Sequence, residues 1–146
     1  MPQIVMFTVE TRLLDNFSVE ISCGNQLIIK LDQPRDDEVN DTDPCPVEYL
    51  LGALSGCVAT MFRLVANQNG IKLNGLNIIT KGELDAEGLF GRNKNVRPGL
   101  NNIELDININ ADISNSEKEN MTEEVIKRCP SWDNLENNSK LKYNLV

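Results

Sequence analysis

The stretch Pro46-Val47-Glu48-Tyr49-Leu50-Leu51-Gly52-Ala53-Leu54-Ser55-Gly56-Cys57-Val58-Ala59-Thr60-Met61-Phe62-Arg63-Leu64-Val65 carries one pattern twice. Val47, Leu50, Leu51 and Leu54 return eleven residues later as Val58, Met61, Phe62 and Val65, which is the recurrence of a single helical face. The spacing predicts one long helix from Pro46 to near Gly70. Beside the apolar stripe runs a set of small residues, Gly52, Ala53, Ser55, Gly56, Cys57 and Ala59. Each helical glycine costs about 1 kcal/mol relative to alanine. A close contact must offset that cost, so the small face predicts a tightly apposed partner helix.

Working outward towards the amino end, the periodicity changes from helical to alternating. Phe17, Val19, Ile21 and Cys23 point one way while Ser18, Glu20 and Ser22 point the other, as in a strand with one buried face. Gly24-Asn25 reads as a hairpin turn, Leu27 to Leu31 as the return strand, and Ile4 to Val9 as a third strand beside them. The polar stretch from Asp32 to Pro44 reads as a surface loop. Towards the carboxyl end, Leu76 to Leu84 reads as a strand and Asp85 to Gly99 as a loop rich in Gly, Asn and Arg. Asn102 to Asn110 alternates without a fault, Ile103, Leu105, Ile107 and Ile109 against Glu104, Asp106 and Asn108, so one of its faces is wet. Ser114 or Ser116, each followed three residues later by Glu, caps a second helix with a Met121, Val125, Ile126 and Cys129 stripe. Pro130 ends or redirects it. Ser131 to Asn138 then reads as a short helical turn and Leu141 to Val146 as a final strand.

These elements follow one another with no internal repeat and no low-complexity linker between them. At 146 residues, 40% hydrophobic and 25% charged, they fit one domain over 1–146. The formal net charge of −8, without a basic patch, argues against nucleic acid or an anionic membrane surface as a partner. The amino terminus lacks a basic start followed by a long apolar run, and no stretch approaches the ~20 apolar residues of a membrane span. The expectation is a cytoplasmic protein. Asn16 and Asn40 sit in glycosylation sequons that such a location leaves unused.

The chain has no histidine, which excludes Ser-His-Asp triads, Cys-His dyads and histidine metal ligands together. Chemistry falls to Cys, Asp, Glu, Lys, Arg or Tyr. The four cysteines, Cys23, Cys45, Cys57 and Cys129, form no C-x-x-C pair, so neither zinc nor a thioredoxin-type motif is indicated. Each has a plain reading and a reactive one. Cys23 continues an apolar strand face. Cys45 could cap the long helix, where free amides would lower its pKa and make it a rival nucleophile. Cys57 lies too far along the helix for its dipole to act, so reactivity there requires a nearby guanidinium or ammonium. Arg12, Arg92, Arg97 and Arg128 are the candidates remote in sequence. Cys129 precedes Pro130 at a junction of two helical pieces, where the sign of any pKa shift depends on geometry.

Glu48 falls in the first turn of the long helix, where an acid complements the dipole. Nine residues separate it from Cys57, half a turn out of phase at 100° per residue. If the two cooperate, the helix bends or the acid comes from a second subunit. Phase mismatch and small-residue face both point to a dimer. Leu89-Phe90 either pins its loop or walls an apolar pocket, and Arg92, Lys94 and Arg97 read as a solvated charged face.

The run Asp43-Pro44-Cys45-Pro46-Val47-Glu48-Tyr49-Leu50-Leu51-Gly52-Ala53-Leu54-Ser55-Gly56-Cys57 resembles the P-x-E-x-L-L-x-A-L-x-x-C helix of the osmotically inducible protein C (OsmC)/organic hydroperoxide resistance family. The G-E-L-D-x-x-G-L-F-G segment (Gly82 to Gly91), V-R-P-G-L-x-x-I (Val96 to Ile103) and Cys129-Pro130 follow in the family's order. The resemblance covers the chain from about Leu27 onward. It implies an α+β fold, an intertwined homodimer whose two long central helices pack against antiparallel sheets built from both chains. It also implies a cysteine-based peroxidase acting on small organic hydroperoxides and regenerated by an external dithiol, with no metal and no organic cofactor. By the same carry-over Cys57 is the peroxidatic thiol and Cys129 the resolving one. Glu48 is then the helix-start acid that orients an arginine, and Arg12 is the arginine placed on the amino-terminal strand. The alternative within this fold is a catalytically weak protein that binds or senses a small apolar ligand.

Overall fold

Alternation of apolar and polar residues builds two separate antiparallel sheets, one on each side of the long helix in the chain order. The computed structural model describes residues 3–14, 17–24, 26–32 and 43–146. The sequons at Asn16 and Asn40, the expected turn residue Asn25 and most of the expected 32–44 loop lie outside the described residues. The chain falls into two compact units, Met1–Leu50 and Leu51–Val146.

In the first unit β1 (Val9–Leu13), β2 (Val19–Cys23) and β3 (Leu27–Leu31) form a sheet in that order, with Thr11, Ile21 and Ile29 in register. The β2–β3 turn holds Gly24 at φ +58° and Gln26 at φ +90°, a left-handed backbone that is uncommon for a side chain larger than glycine. The first strand is not the expected Ile4 to Val9. The Leu14 N–H donates to the Ser18 carbonyl at 2.9 Å, closing a turn that sets Leu13 opposite Val19. From that register the five residues of β2 are used up at Val9, so residues 3–8 pair with no strand among the described residues and Ile4, Met6 and Phe7 stay exposed. Phe17 likewise precedes β2 and does not begin it. After β3, the Asp32 N–H donates to the Pro44 carbonyl at 3.2 Å, which brings the two ends of the expected loop together.

The long helix α1 (Pro46–Gln68) begins in the first unit and runs on through the second. It stops where the chain turns left-handed at Gly70, φ +66°, and the Ile71 N–H reaches back to the Ala66 carbonyl at 2.8 Å; this is the standard glycine closure of a helix. By length and composition α1 is apolar enough to cross a membrane, with a mean hydropathy of 1.6, which corrects the expectation that no segment reaches that size. Its Leu54, Val58, Phe62, Val65 and Ala66 are instead packed into the core of the second unit.

Against that face lie β4 (Leu73–Glu83) and β5 (Asn102–Ala111), paired antiparallel with Leu76 opposite Ile109 and Ile78 opposite Ile107. The β5 alternation gives half-buried Ile103, Leu105, Ile107 and Ile109 and exposed Glu104, Asp106 and Asn108, one dry face and one wet. Strand β4 begins at Leu73, three residues earlier than expected, across an irregularity between Leu73 and Gly75. The expected 85–99 loop contains a one-turn helix, α2 (Ala86–Leu89), because the Asp85 carboxylate accepts the Glu87 N–H. Gly88 is required there: a Cβ would stand 2.5 Å from the Arg97 carbonyl oxygen.

Helix α3 (Asn115–Arg128) contributes Met121 and Val125 to the core, and α4 (Pro130–Glu136) follows at once. Residues 139–146 form no strand, contrary to expectation. Leu141, Tyr143 and Leu145 do alternate with Lys142 and Asn144, but a strand is a pairing and not a pattern, and the segment pairs with no strand among the described residues. All three apolar side chains are almost fully exposed.

Candidate active site

Two cysteines separated by 72 residues meet in the second unit. Cys57 is half-buried on α1, packed at the margin of the core. Cys129 is held at the α3–α4 junction, where one extended residue (φ −81°, ψ 113°) ends the first helix and begins the second. Its N–H donates to the Ile126 carbonyl at 3.2 Å and its carbonyl accepts the Asp133 N–H at 3.0 Å, so its backbone is fixed from both sides. Only 1% of Cys129 is exposed. The Cys129 thiol donates to the Cys57 sulfur at 3.4 Å. Both are free thiols. The sulfurs need to close by little more than 1 Å to reach the ~2.05 Å of a disulfide bond.

The environment treats the two sulfurs differently. Burial works to raise the Cys57 pKa, but hydrogen bonds from the Ser131 hydroxyl, the Ser131 backbone N–H and the Cys129 thiol outweigh it and hold Cys57 below the usual thiol value of 9.0. Burial also raises Cys129, and the neighbouring Cys57 adds to the rise, so that despite the Trp132 and Ser131 N–H groups it sits above 9.0. Neutral donors thus lower Cys57 in the same direction that the sequence reading assigned to a guanidinium. Arg92 is paired with Glu87 at 3.4 Å and lies 5.0 Å from the Phe90 ring centroid. Arg128 is bonded to Gln68 and Glu124, and the Arg97 guanidinium lies along Gly99.

Ser131 is the residue that sequence reasoning missed as part of the site. The Cys129-Pro130-Ser131 order is a legible signal, because a proline that begins a helix leaves the next residue in its first turn. Only the neighbourhood of Cys57 is absent from that string.

The remaining candidates lie in the first unit. Cys45 is buried just ahead of Pro46, and its carbonyl accepts the Tyr49 N–H at 3.0 Å. Its own N–H donates to the exposed Glu48 carboxylate at 2.9 Å, so Glu48 secures the start of α1. Arg12, on β1 opposite Glu20, makes a long 3.7 Å ion pair with Glu10 in which both side chains are about 70% exposed. Such a pair is weak and leaves the guanidinium able to exchange partners. Cys23 ends β2, half-buried opposite Val9 and Leu27. Among the described residues no group of three or more Cys, Asp or Glu side chains is arranged to hold a metal ion.

The sequence profile of the family described as OsmC-like protein matches residues 39–144, the segment that holds α1, both thiols and the β4–β5 sheet. The chain belongs to the OsmC-like family. Solved OsmC-like folds agree with it over nearly its whole length. An OsmC-like protein from Mycoplasma pneumoniae has a TM-score of 0.81 at 24% identity, covering 96% of this chain and 94% of its own. An organic hydroperoxide resistance protein from Elizabethkingia anophelis, solved with thiocyanate bound, has a TM-score of 0.71 at 19% identity, with 93% of each chain covered. The organic hydroperoxide resistance protein OhrB of Bacillus subtilis has a TM-score of 0.61 at 14% identity, covering 90% of this chain and 93% of its own. No curated protein sequence matches the chain. The mixed fold of helices and antiparallel sheets expected from the sequence is thus that of OsmC-like proteins.

Proposed function

We propose that this OsmC-like chain is a cytoplasmic, thiol-dependent peroxidase that reduces small organic hydroperoxides. The observation that carries the reading is the 3.4 Å approach of a half-exposed Cys57 to a buried Cys129, with the two thiols shifted in opposite directions. A nucleophilic thiolate next to a protonated partner is the arrangement that two-step peroxide reduction needs. Family membership and solved neighbours named for organic hydroperoxide resistance support the substrate class.

The Cys57 thiolate attacks the distal oxygen of the hydroperoxide, the O–O bond breaks, and the alkoxide leaves, taking a proton to become the alcohol. Cys57 is then a sulfenic acid. The Cys129 sulfur attacks it, an S–S bond forms, and the sulfenic hydroxyl departs with the thiol proton as water. An external dithiol reduces the disulfide and is itself oxidised. In this reading Glu48 orients Arg12, whose guanidinium stays ionised while stabilising the thiolate and the leaving oxygen. Neither a metal nor an organic cofactor takes part. The working form is a homodimer. Support for it comes from Gly52 and Gly56, where an added Cβ would meet no atom within 4 Å, so the small-residue face of α1 is open at both points.

The test is peptide-mapped mass spectrometry of the reduced protein after one equivalent of an organic hydroperoxide, with hydrogen peroxide alongside. A rapid Cys57–Cys129 disulfide, faster with the organic peroxide, is expected, and Cys57→Ser and Arg12→Ala should abolish and slow it respectively. Two intact thiols in a folded protein would overturn the reading in favour of a binder of small apolar ligands. Light scattering of the same sample should give the mass of two chains.

A further inference from the structure

Cys57 and Cys129 have to part and meet again in every cycle of peroxide reduction. Once Cys57 carries the sulfenic oxygen, the 3.4 Å contact between the two sulfurs is interrupted, and the thiols themselves no longer hold Cys129 in place. We infer that Arg128 is the positioning residue for the return: through Gln68 it ties the corner that carries Cys129 to the helix that carries Cys57. The inference deepens the peroxidase reading and rests on it for the consequence, though not for the geometry.

Arg128 is the last residue of α3 and the immediate neighbour of Cys129, and Gln68 is the last residue of α1. The Arg128 Nη1 donates to Gln68 Oε1 at 2.9 Å and to Glu124 Oε1 at 2.7 Å. Glu124 lies one turn earlier on α3, so it aims the guanidinium, and Gln68 receives it from the other helix. Apolar packing does the rest of the holding. Met121 and Val125 sit in the core, and Ile126 and Trp132 pack against it from either side of the corner. Burial of this kind sets how deep the corner lies but not which way it points, because hydrophobic contact has no direction. A hydrogen bond has one. Gln68 lies eleven residues beyond Cys57, about 16 Å along α1 at about 1.5 Å per residue. The end of α3 is thus fixed to α1 at two separated points, the sulfur contact and the Arg128–Gln68 bridge. When oxidation interrupts the first, the second stops the corner from pivoting away. The sequence placed Arg128 among the cations able to hold Cys57 as a thiolate, whereas its guanidinium is engaged at the far end of α1.

The experiment samples the reduced full-length protein at intervals after adding tert-butyl hydroperoxide, with dimedone to trap sulfenic acid and peptide mapping to follow the disulfide. The variants are Gln68→Ala, Gln68→Glu, Arg128→Met and the double variant Gln68→Ala with Arg128→Met. Cys57 sulfenic acid should form at the native rate in all of them. The Cys57–Cys129 disulfide should form roughly fivefold more slowly in Gln68→Ala and in Arg128→Met, the scale of one hydrogen bond. The double variant should be no slower than either single one, because both remove the same bond. Gln68→Glu keeps an acceptor for Arg128 and should close at the native rate. Urea midpoints should stay close to native, since so exposed a bridge contributes little to stability. Native disulfide rates in both single variants, multiplied slowing in the double one, or equal slowing of both steps would overturn the inference. Diamide, which oxidises two thiols to a disulfide and is itself reduced to the hydrazine, reads the closure without hydroperoxide. If the native protein forms no disulfide with hydroperoxide while the diamide rates keep their dependence on Gln68 and Arg128, the peroxidase reading fails and the positioning role stands.

Discussion

At Cys57, burial pulls the thiol one way and three hydrogen bonds pull it the other, and the hydrogen bonds win; at Cys129 burial wins. The linkage signs follow. A depressed thiol stabilises the fold above pH 9.0, and that contribution is lost as pH falls through its folded value; a raised thiol stabilises the fold below 9.0 and loses that as pH rises. The two contributions oppose each other in stability but separate cleanly in reactivity. Alkylation of the native protein should therefore label Cys57 with a midpoint below pH 9.0 and Cys129 with one above it, Cys57 first at neutral pH. The inverse order, read by peptide mapping, would contradict the assignment of roles. None of this contrast could be read from the residues alone. Cys57 and Cys129 were candidates by type, and only resemblance to OsmC-like proteins paired them. Ser131 was marked only by its place after Pro130, and its nearness to Cys57 comes from the fold.

Elements were legible wherever local period and burial agree. The second half of the α1 recurrence, Val58, Met61, Phe62 and Val65, and the faultless alternation of β5 point to faces packed in the core, whereas Leu50 in the first half of the recurrence stays exposed. The start of α3 was narrowed to Ser114 or Ser116, and the structure uses Ser114: its hydroxyl accepts the Glu117 N–H at 3.2 Å while the Glu117 carboxylate accepts the Ser114 N–H at 2.8 Å. Ser114→Ala should cost about 1 kcal/mol, seen as a lower urea midpoint at unchanged slope. Cys57 alkylation should not change, since Met121 and Val125 still anchor the helix whose far end carries Cys129. A shifted slope would indicate that α3 unravels as a whole. Where the reading missed, pairing and not period decided the outcome. β1 is displaced from Ile4–Val9 because a turn bond at Leu14 sets the register, and Leu141–Val146 has the alternation of a strand but pairs with none among the described residues.

At the scale of the whole molecule the α1 apolar face, the β4–β5 sheet and α3 share one core, with Phe62, Val58, Val65 and Val125 fully enclosed. Phe62→Ala should cost roughly 3–5 kcal/mol, read from denaturant midpoints, because the cavity lies where three elements meet and none can collapse alone. The same meeting point gives the thiol pair a mechanical meaning. A bond between Cys57 and Cys129 would tie the middle of α1 to the corner after α3 across a loop of 72 residues. On chain-entropy grounds a closure of that length removes about 4 kcal/mol of freedom from the unfolded chain. Oxidised molecules should thus melt well above reduced ones, and a mixed sample should melt in two steps. Each turnover would pass through the protein's most tightly fastened form, so that heat resistance becomes a record of recent exposure to oxidant.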